Sequence, residues 1–366
     1  MIFSTDRASL LDAVQNLSRI VTKTSLPVLE GILISAEQGK VTLVSYNLEM
    51  SMKKEIYASC KQEGDIVISA KLLTEILRKS DGINVEIEAD DRLMCHIKSG
   101  NAVFDIMGMS AEDFPETPSV PETEKIQIKG GLLKDLVRGT LFATASTEGS
   151  RPILTGLKVE IKDNIIRFIG IDGRRMGLRQ ERINIDEEYD FVISGKAIGE
   201  AVKIIADDDS DVEIYVNKKL GSFSIDGYTL VSRLLEGEFM NYEKIVKKDF
   251  TQEIVINTRE VIDIIERISI VINDRFATPV KCQIDKNLIN FSCSSSLGRA
   301  TDIYETQLKG EEFEIGVNPQ YLLDALRASE TDTVRIKFNG GGAGFLIEPI
   351  EADSFIYMIR PIILKY

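Results

Sequence analysis

Tryptophan is absent from the 366 residues, histidine occurs once, at His96, and cysteine four times. With no second histidine, a His-paired zinc site or a Cys/His catalytic pair has little to work with. Cys60, Cys95, Cys282 and Cys293 show neither metal-type spacing nor a secreted disulfide framework, so reduced thiols are expected. No apolar run approaches the roughly 20 residues that a membrane helix needs. The opening Met-Ile-Phe-Ser-Thr-Asp has no basic segment and no apolar signal core, which predicts a cytoplasmic protein. Positive charge is also short. The net charge of −14 argues against general affinity for nucleic acid.

What the chain does have is repetition. Lys71-Leu-Leu-Thr-Glu-Ile-Leu-Arg78 returns as Lys196-Ala-Ile-Gly-Glu-Ala-Val-Lys203 and as Gln320-Tyr-Leu-Leu-Asp-Ala-Leu-Arg327, at steps of 125 and 124 residues. Each copy follows a β-type run that ends in a small or turn-forming pair. Helical spacing puts Leu72, Leu73, Ile76 and Leu77 on one half of the first copy and Lys71, Glu75 and Arg78 on the other. Ala197, Ile198, Ala201 and Val202 match in the second copy, as do Tyr321, Leu322, Ala325 and Leu326 in the third. One such helix is an ordinary solvated surface helix. Three at a fixed step, each closed by a cation, indicate internal triplication.

The order helix, strands, helix, strands then reads three times. Helices are expected over 5–23, 70–80, 130–147, 195–206, 258–276 and 318–329, with meanders of alternating strands between them. These six segments hold fourteen Lys and Arg against ten Asp and Glu, a charge of +4 that leaves −18 for the remainder. An acidic body with basic helices suggests one surface for a polyanion. Three prolines in Phe114-Pro-Glu-Thr-Pro-Ser-Val-Pro-Glu122 mark a linker. The predicted domains are 1–122, 123–250 and 251–366, each with two helices on antiparallel sheet, an α+β class.

Catalytic signals are weak. His96 lies on an alternating run opposite Cys95 and reads as a surface strand residue. Asp207-Asp-Asp-Ser-Asp211 lacks the glycine and distal glutamate of a calcium loop and reads as solvated loop. Asn339-Gly-Gly-Gly-Ala-Gly344 leads into a strand rather than a helix, so a hairpin turn replaces a phosphate loop. Ile171-Asp-Gly-Arg-Arg175 holds no second carboxylate and reads as a turn or a binding rim. The end, Tyr357-Met-Ile-Arg-Pro-Ile-Ile-Leu-Lys-Tyr366, is unusually apolar and suggests a core strand whose tip lines an exposed site.

Leu26-Pro-Val-Leu, Asn47-Leu-Glu-Met-Ser-Met, Glu112-Asp-Phe-Pro, Ile171-Asp-Gly-Arg-Arg, Glu236-Gly-Glu-Phe and the Tyr-Met-Ile-Arg-Pro end together resemble the bacterial DNA polymerase III beta subunit family, the sliding clamps. The resemblance runs in order through the whole chain. It implies a DNA clamp fold of three tandem similar domains, closing into a ring as a head-to-tail homodimer around duplex DNA that is held without regard to sequence. It implies a processivity factor rather than an enzyme, with no cofactor, no metal and no membrane. The implied partners are the replicative polymerase, the clamp loader and other clamp-binding proteins, and the implied place is the cytoplasm at the nucleoid. Lys23, Lys71, Arg78, Lys134, Arg138, Lys196 and Lys203 are the implied DNA surface. Phe104 and Ile106 against Ile270 and Val271 are the implied dimer contact. The implied partner-peptide cleft takes Leu154, Ile171, Gly173, Arg174, Arg175, Met176, Met240, Lys244, Ile245, Tyr321, Gly344, Met358, Ile359, Arg360, Pro361 and Ile362. Ile171, Arg174 and Met240 stand where the family often has threonine, histidine and proline. A ring scaffold without DNA would not need the helix cations, and a sugar- or nucleotide-processing enzyme would need a convergent polar constellation that the sequence does not offer.

Overall fold

A short cap decides where the first helix starts. Asp6 accepts a hydrogen bond from the Ser9 N–H at 2.7 Å, so residues before it are free to extend as the strand Ile2–Asp6, and the helix Arg7–Leu17 follows. The Ser18 hydroxyl bonds back to the Val14 carbonyl at 2.6 Å where the helix stops, four residues after its last inward turn begins. The expected helix over 5–23 is therefore corrected at both ends, and Lys23 lies beyond it. The computed structural model describes residues 1–146, 149–246, 249–272 and 278–364. They fall into two compact units, 1–133 with 196–234 and 134–195 with 235–366.

In the first unit, Arg7–Leu17 packs beside the helix Ala70–Lys79 and against the strands Lys40–Tyr46 and Met50–Tyr57. Leu73, Ile76 and Leu77 are buried. Leu72 is corrected: it is 48% exposed, because it sits about 90° from the centre of the apolar stripe. An eight-stranded antiparallel sheet runs Ile126–Lys129, Asp211–Val216, Leu220–Ile225, Tyr228–Arg233, Met50–Tyr57, Lys40–Tyr46, Gly31–Glu37, Gly64–Ser69. Its middle joint pairs chain segments some 180 residues apart, with Leu230 opposite Met52 and Ser232 opposite Met50. A five-stranded sheet runs Ser59–Gln62, Ile2–Asp6, Asn84–Ala89, Met94–Ser99, Ala102–Met107, the last being a free edge.

The second unit repeats the plan. Its eight-stranded sheet runs Tyr189–Ser194, Gly156–Lys162, Ile165–Ile171, Arg175–Arg182, Phe355–Ile359, Phe345–Pro349, Thr333–Phe338, Gln252–Asn257. The joint places Arg175 opposite Ile359 and Arg179 opposite Phe355. A four-stranded sheet, Gly298–Glu305, Leu288–Ser295, Val280–Ile284, Phe313–Val317, has Gly298–Glu305 as a free edge. The helices Thr258–Ile268 and Pro319–Ser329 pack on one another, capped by Asn257 and Asn318. They bury Ile262, Ile265, Leu322 and Leu326 in one apolar core with Phe345 and Tyr357.

The helices Gly130–Arg138 and Gly195–Ile204 cross the division between the units. The expected helix over 130–147 is shorter, ending at Arg138 before a 3₁₀ turn at Leu141–Ala143, and part of that segment lies outside the described residues. Thr140 is the reason. Its hydroxyl bonds the Leu136 carbonyl at 2.6 Å, and its own carbonyl crosses Gly170 so closely that a Cβ there would sit 2.4 Å away. The helix expected over 258–276 ends at Ile268 and continues as the 3₁₀ turn Ser269–Val271, and residues 273–277 lie outside the described residues. Sequence reading also passed over the strands Ser59–Gln62, Ile126–Lys129, Gln252–Asn257, Arg175–Arg182 and Gly298–Glu305 and the short helix Glu243–Val246.

Candidate functional site

The second unit carries the most developed site, and it begins at a turn. Asp172 Oδ1 accepts the backbone N–H groups of Arg174 at 2.7 Å and Arg175 at 2.9 Å, and Gly173 takes φ +87° between them. That geometry sends the Arg175 side chain inward. Its Nε meets Asp172 Oδ2 at 3.0 Å, its Nη1 meets Asp324 Oδ2 at 2.6 Å, and its guanidinium lies 4.4 Å over the Tyr321 ring and 5.4 Å from Phe142. A charge this deep needs such partners. The tail is held to the same turn, where Arg360 N–H donates to the Arg174 carbonyl at 2.8 Å, and to the strand Phe313–Val317, where Ile362 N–H donates to the Gly316 carbonyl at 2.8 Å. Above the turn opens a pocket of about 720 Å³ lined by Thr144, Ala145, Ser146, Ser150, Asp172, Arg174, Arg175 and Tyr321.

Of the expected cleft residues, Arg174, Arg175 and Tyr321 line this pocket, and the others lie at different depths. Ile171, Met176 and Ile359 are buried at 1%, 0% and 1% exposure. They lie in the interior rather than on a surface. Leu154 and Met358 are buried with Ile153 and Leu346 in the same apolar cluster, against which Ile245, Phe239 and Tyr242 pack half-buried. Gly344 comes close to Met358, whose sulfur would lie 3.1 Å from a Cβ. Met240, Arg174, Lys244 and Arg360 are exposed, and Gly173, Pro361 and Ile362 are half-exposed. Asp324 and Phe142 were not expected. Asp324 looks in sequence like one more helix-face carboxylate, and nothing local marks its partner.

The expected DNA-facing cations are exposed except Lys134, which is half-buried. Their freedom is less than the sequence suggests. Arg78 pairs with Glu75 at 2.8 Å, Lys203 with Glu200 at 2.7 Å and Arg138 with Glu330 at 2.6 Å, while Lys134 also has a partner. Lys23, Lys71 and Lys196 make no ion pair among the described residues. Exposed pairs are weak and exchange readily with phosphate, so these partners lower the net field without removing the cations.

Two of the expected closure residues lie on the free edge Ala102–Met107, and two on the 3₁₀ turn Ser269–Val271, which packs on the edge strand Gly298–Glu305. Phe104 and Ile106 are half-buried on Ala102–Met107, whose other face exposes Val103 and Met107. Ile270 is 75% exposed, and Val271 leans on its own core. Sequence reading missed the edge strand Gly298–Glu305, which shows Ile303 to solvent. His96, next to the first edge, does have a partner: its Nδ1 meets Asp105 Oδ1, and this hydrogen bond raises its pKa. No group of three or more His, Cys, Asp or Glu among the described residues is arranged to hold a metal, and no helix there is long and apolar enough to cross a membrane.

Tandem units of two helices on antiparallel sheet, joined strand to strand into continuous sheets, define the DNA-clamp class of fold. Models of the N-terminal, central and C-terminal domains of the DNA polymerase III beta subunit match residues 1–118, 127–241 and 243–363. The chain is 31% identical to the beta sliding clamp of Bacillus subtilis (strain 168) over 99% of both chains, and 29% identical to that of Halalkalibacterium halodurans over 99% of both. The crystal structure of the DNA polymerase sliding clamp from Bacillus subtilis matches with a TM-score of 0.95 at 30% identity, covering 100% of each chain. The chain belongs to the DNA polymerase III beta subunit family, the sliding clamps, and its function is that of a non-catalytic processivity factor.

Proposed function

We propose that two copies of this chain close head to tail into a ring around duplex DNA and tether the replicative polymerase and other partners through the groove above Asp172–Arg175. The domains are 1–122, 123–250 and 251–366. One observation supports the reading: among the described residues, Ala102–Met107 and Gly298–Glu305 are both unpaired sheet edges with exposed apolar side chains. Open edges of this kind are a liability unless another chain covers them. Two chains related by a two-fold axis cover both edges at once, with Phe104, Ile106, Ile270 and Val271 at the contact.

Lys23, Lys71, Arg78, Lys134, Arg138, Lys196 and Lys203 face the duplex. Phosphate contacts carry no sequence information, which suits a ring that slides. Retention comes from linkage, so a weak field is enough and a strong one would add friction. The groove takes a short linear peptide with apolar anchors from polymerase, clamp loader or repair protein. Modest affinity suffices there, because the ring keeps the partner at high effective concentration. The place of action is the cytoplasm, at the nucleoid. The test is retention on DNA: once loaded on a closed circle, the protein stays until the circle is cut. Retention unchanged by cutting rejects encirclement.

A further inference from the structure

The turn that opens the groove stands 125 residues after a turn of the same build at Asn47, the matching repeat position, and the two differ in charge. In the first, Asn47 Oδ1 accepts the N–H groups of Glu49 and Met50 at 3.1 and 2.9 Å. In the second, Asp172 Oδ1 accepts those of Arg174 and Arg175. Leu48 and Gly173 both hold a positive φ, +72° and +87°, and the carbonyls of Glu49 and Arg174 receive the N–H groups of Arg233 and Arg360. The first turn is built with Met50, fully buried, where the second has Arg175. The fold therefore makes this turn and its strand joint without a guanidinium and without a carboxylate.

The repeated helix differs at the matching place. Glu75 and Glu200 each hold the closing cation of their own helix. Asp324 stands at the same repeat position but takes Arg175, and Arg327 pairs with Glu266 on another helix. Three changes thus coincide at one of the two turns: Asn to Asp, Met to Arg, and a helix carboxylate redirected to that Arg. Ion pairs this buried contribute little net stability, since desolvation offsets their attraction. What such a pair can do is fix geometry.

We propose that Asp324 is a positioning residue of the partner groove. By holding Arg175 over the Tyr321 ring it locks the rim 172–174 to the helix Pro319–Ser329, so a peptide meets a groove already at its binding width. This rests on the groove reading above. Asp324 itself need not touch the peptide.

The test measures anisotropy of a fluorescein-labelled pentapeptide with leucine and phenylalanine anchors, using the full-length chain. Asp324→Asn keeps the shape and removes the charge, and its affinity is expected to fall about tenfold, or 1.4 kcal/mol. The double variant Asp172→Asn/Arg175→Met installs the first turn's residues and loses a similar amount. Adding Asp324→Asn to it changes affinity less than twofold, because the aspartate acts only through Arg175. In nuclear magnetic resonance, the Arg175 Nη1 protons that meet Asp324 lose their slow exchange in Asp324→Asn while the Nε–H held by Asp172 keeps its own, a pattern that a general loss of stability does not produce. Unchanged affinity in Asp324→Asn overturns the proposal, as does a fully additive loss in the triple variant. If Asp324→Asn melts early, Asp324→Glu decides: affinity regained supports the proposal, affinity still low overturns it. A peptide that fails to bind the unsubstituted chain rejects the groove itself, which is a separate failure.

Discussion

Arg138 and Glu330 form an ion pair 2.6 Å long, between the end of one helix and the left-handed residue that ends another. Arg138 belongs to the proposed DNA surface, so the acidic neighbour sets how much of its charge a phosphate meets. Glu330→Gln is expected to raise affinity for a short linear duplex two- to threefold at low salt and to steepen the salt dependence. The pair is exposed at 59% and 36%, and such pairs are worth about 0.2–1 kcal/mol, which caps the gain. Filter binding across a salt series checks this; a fall in affinity refutes it.

Lys71 and Lys196 have no acidic partner among the described residues and stand at matching repeat positions. Changing both to glutamate is expected to abolish retention on closed circles while the molar mass in light scattering holds. A loss of mass would mean that these lysines support assembly instead.

The proposed dimer predicts a mass about twice 40.8 kDa in light scattering. Ile270 and Val271 then divide by burial. Ile270 is exposed in the single chain, so Ile270→Asp is expected to shift the mass toward monomer with little change in melting temperature. Val271→Ala, which removes contacts with its own core, is expected to cost about 1–2 kcal/mol of domain stability as well.

Met176 and Met240, both expected at the partner cleft, differ in depth. Aspartate at Met176 puts a carboxylate where exposure is 0%, and unfolding of its domain is expected before any peptide effect can be read. Met240 is 37% exposed, so Met240→Asp is expected to weaken the labelled peptide at least tenfold at unchanged melting temperature. Unchanged affinity would move the partner site elsewhere.

His96 titrates alone, which makes it easy to follow. The hydrogen bond to Asp105 raises its pKa above 6.5, with partial desolvation opposing and Glu88 and Asp90 assisting. A raised value in the fold means the pair favours folding fully below about pH 6.5, and that this contribution is lost as pH rises through the raised value. Asp105→Asn is expected to lower the midpoint of the single imidazole signal in a nuclear magnetic resonance titration. An unmoved midpoint would mean the two side chains do not pair in solution.

The triplication was legible in sequence because it rests on local periodicity. Strands such as Lys40–Tyr46, Val280–Ile284 and Thr333–Phe338 fall where alternation places them. The strands that escaped are of two kinds. Ile126–Lys129 and Ser59–Gln62 are four residues long, too short for a pattern to show. Arg175–Arg182 and Gly298–Glu305 are longer, but they are polar and take their strand character from pairing partners. Helix ends were misjudged where a tertiary contact stopped them, as Thr140 over Gly170 does.

By itself, the sequence determined the internal repeat, the class of fold and the family, because all of these are written in spacing and order along one chain. Depth and partnership were decided only by the tertiary structure. Whether a methionine is buried or exposed, as with Met176 and Met240, depends on what packs above it. Whether a carboxylate serves its own helix, as Glu75 does, or reaches a distant turn, as Asp324 does, depends on what the fold brings within 3 Å. A charge takes the nearest opposite charge in space, and nearness in space is not encoded in any one stretch of chain.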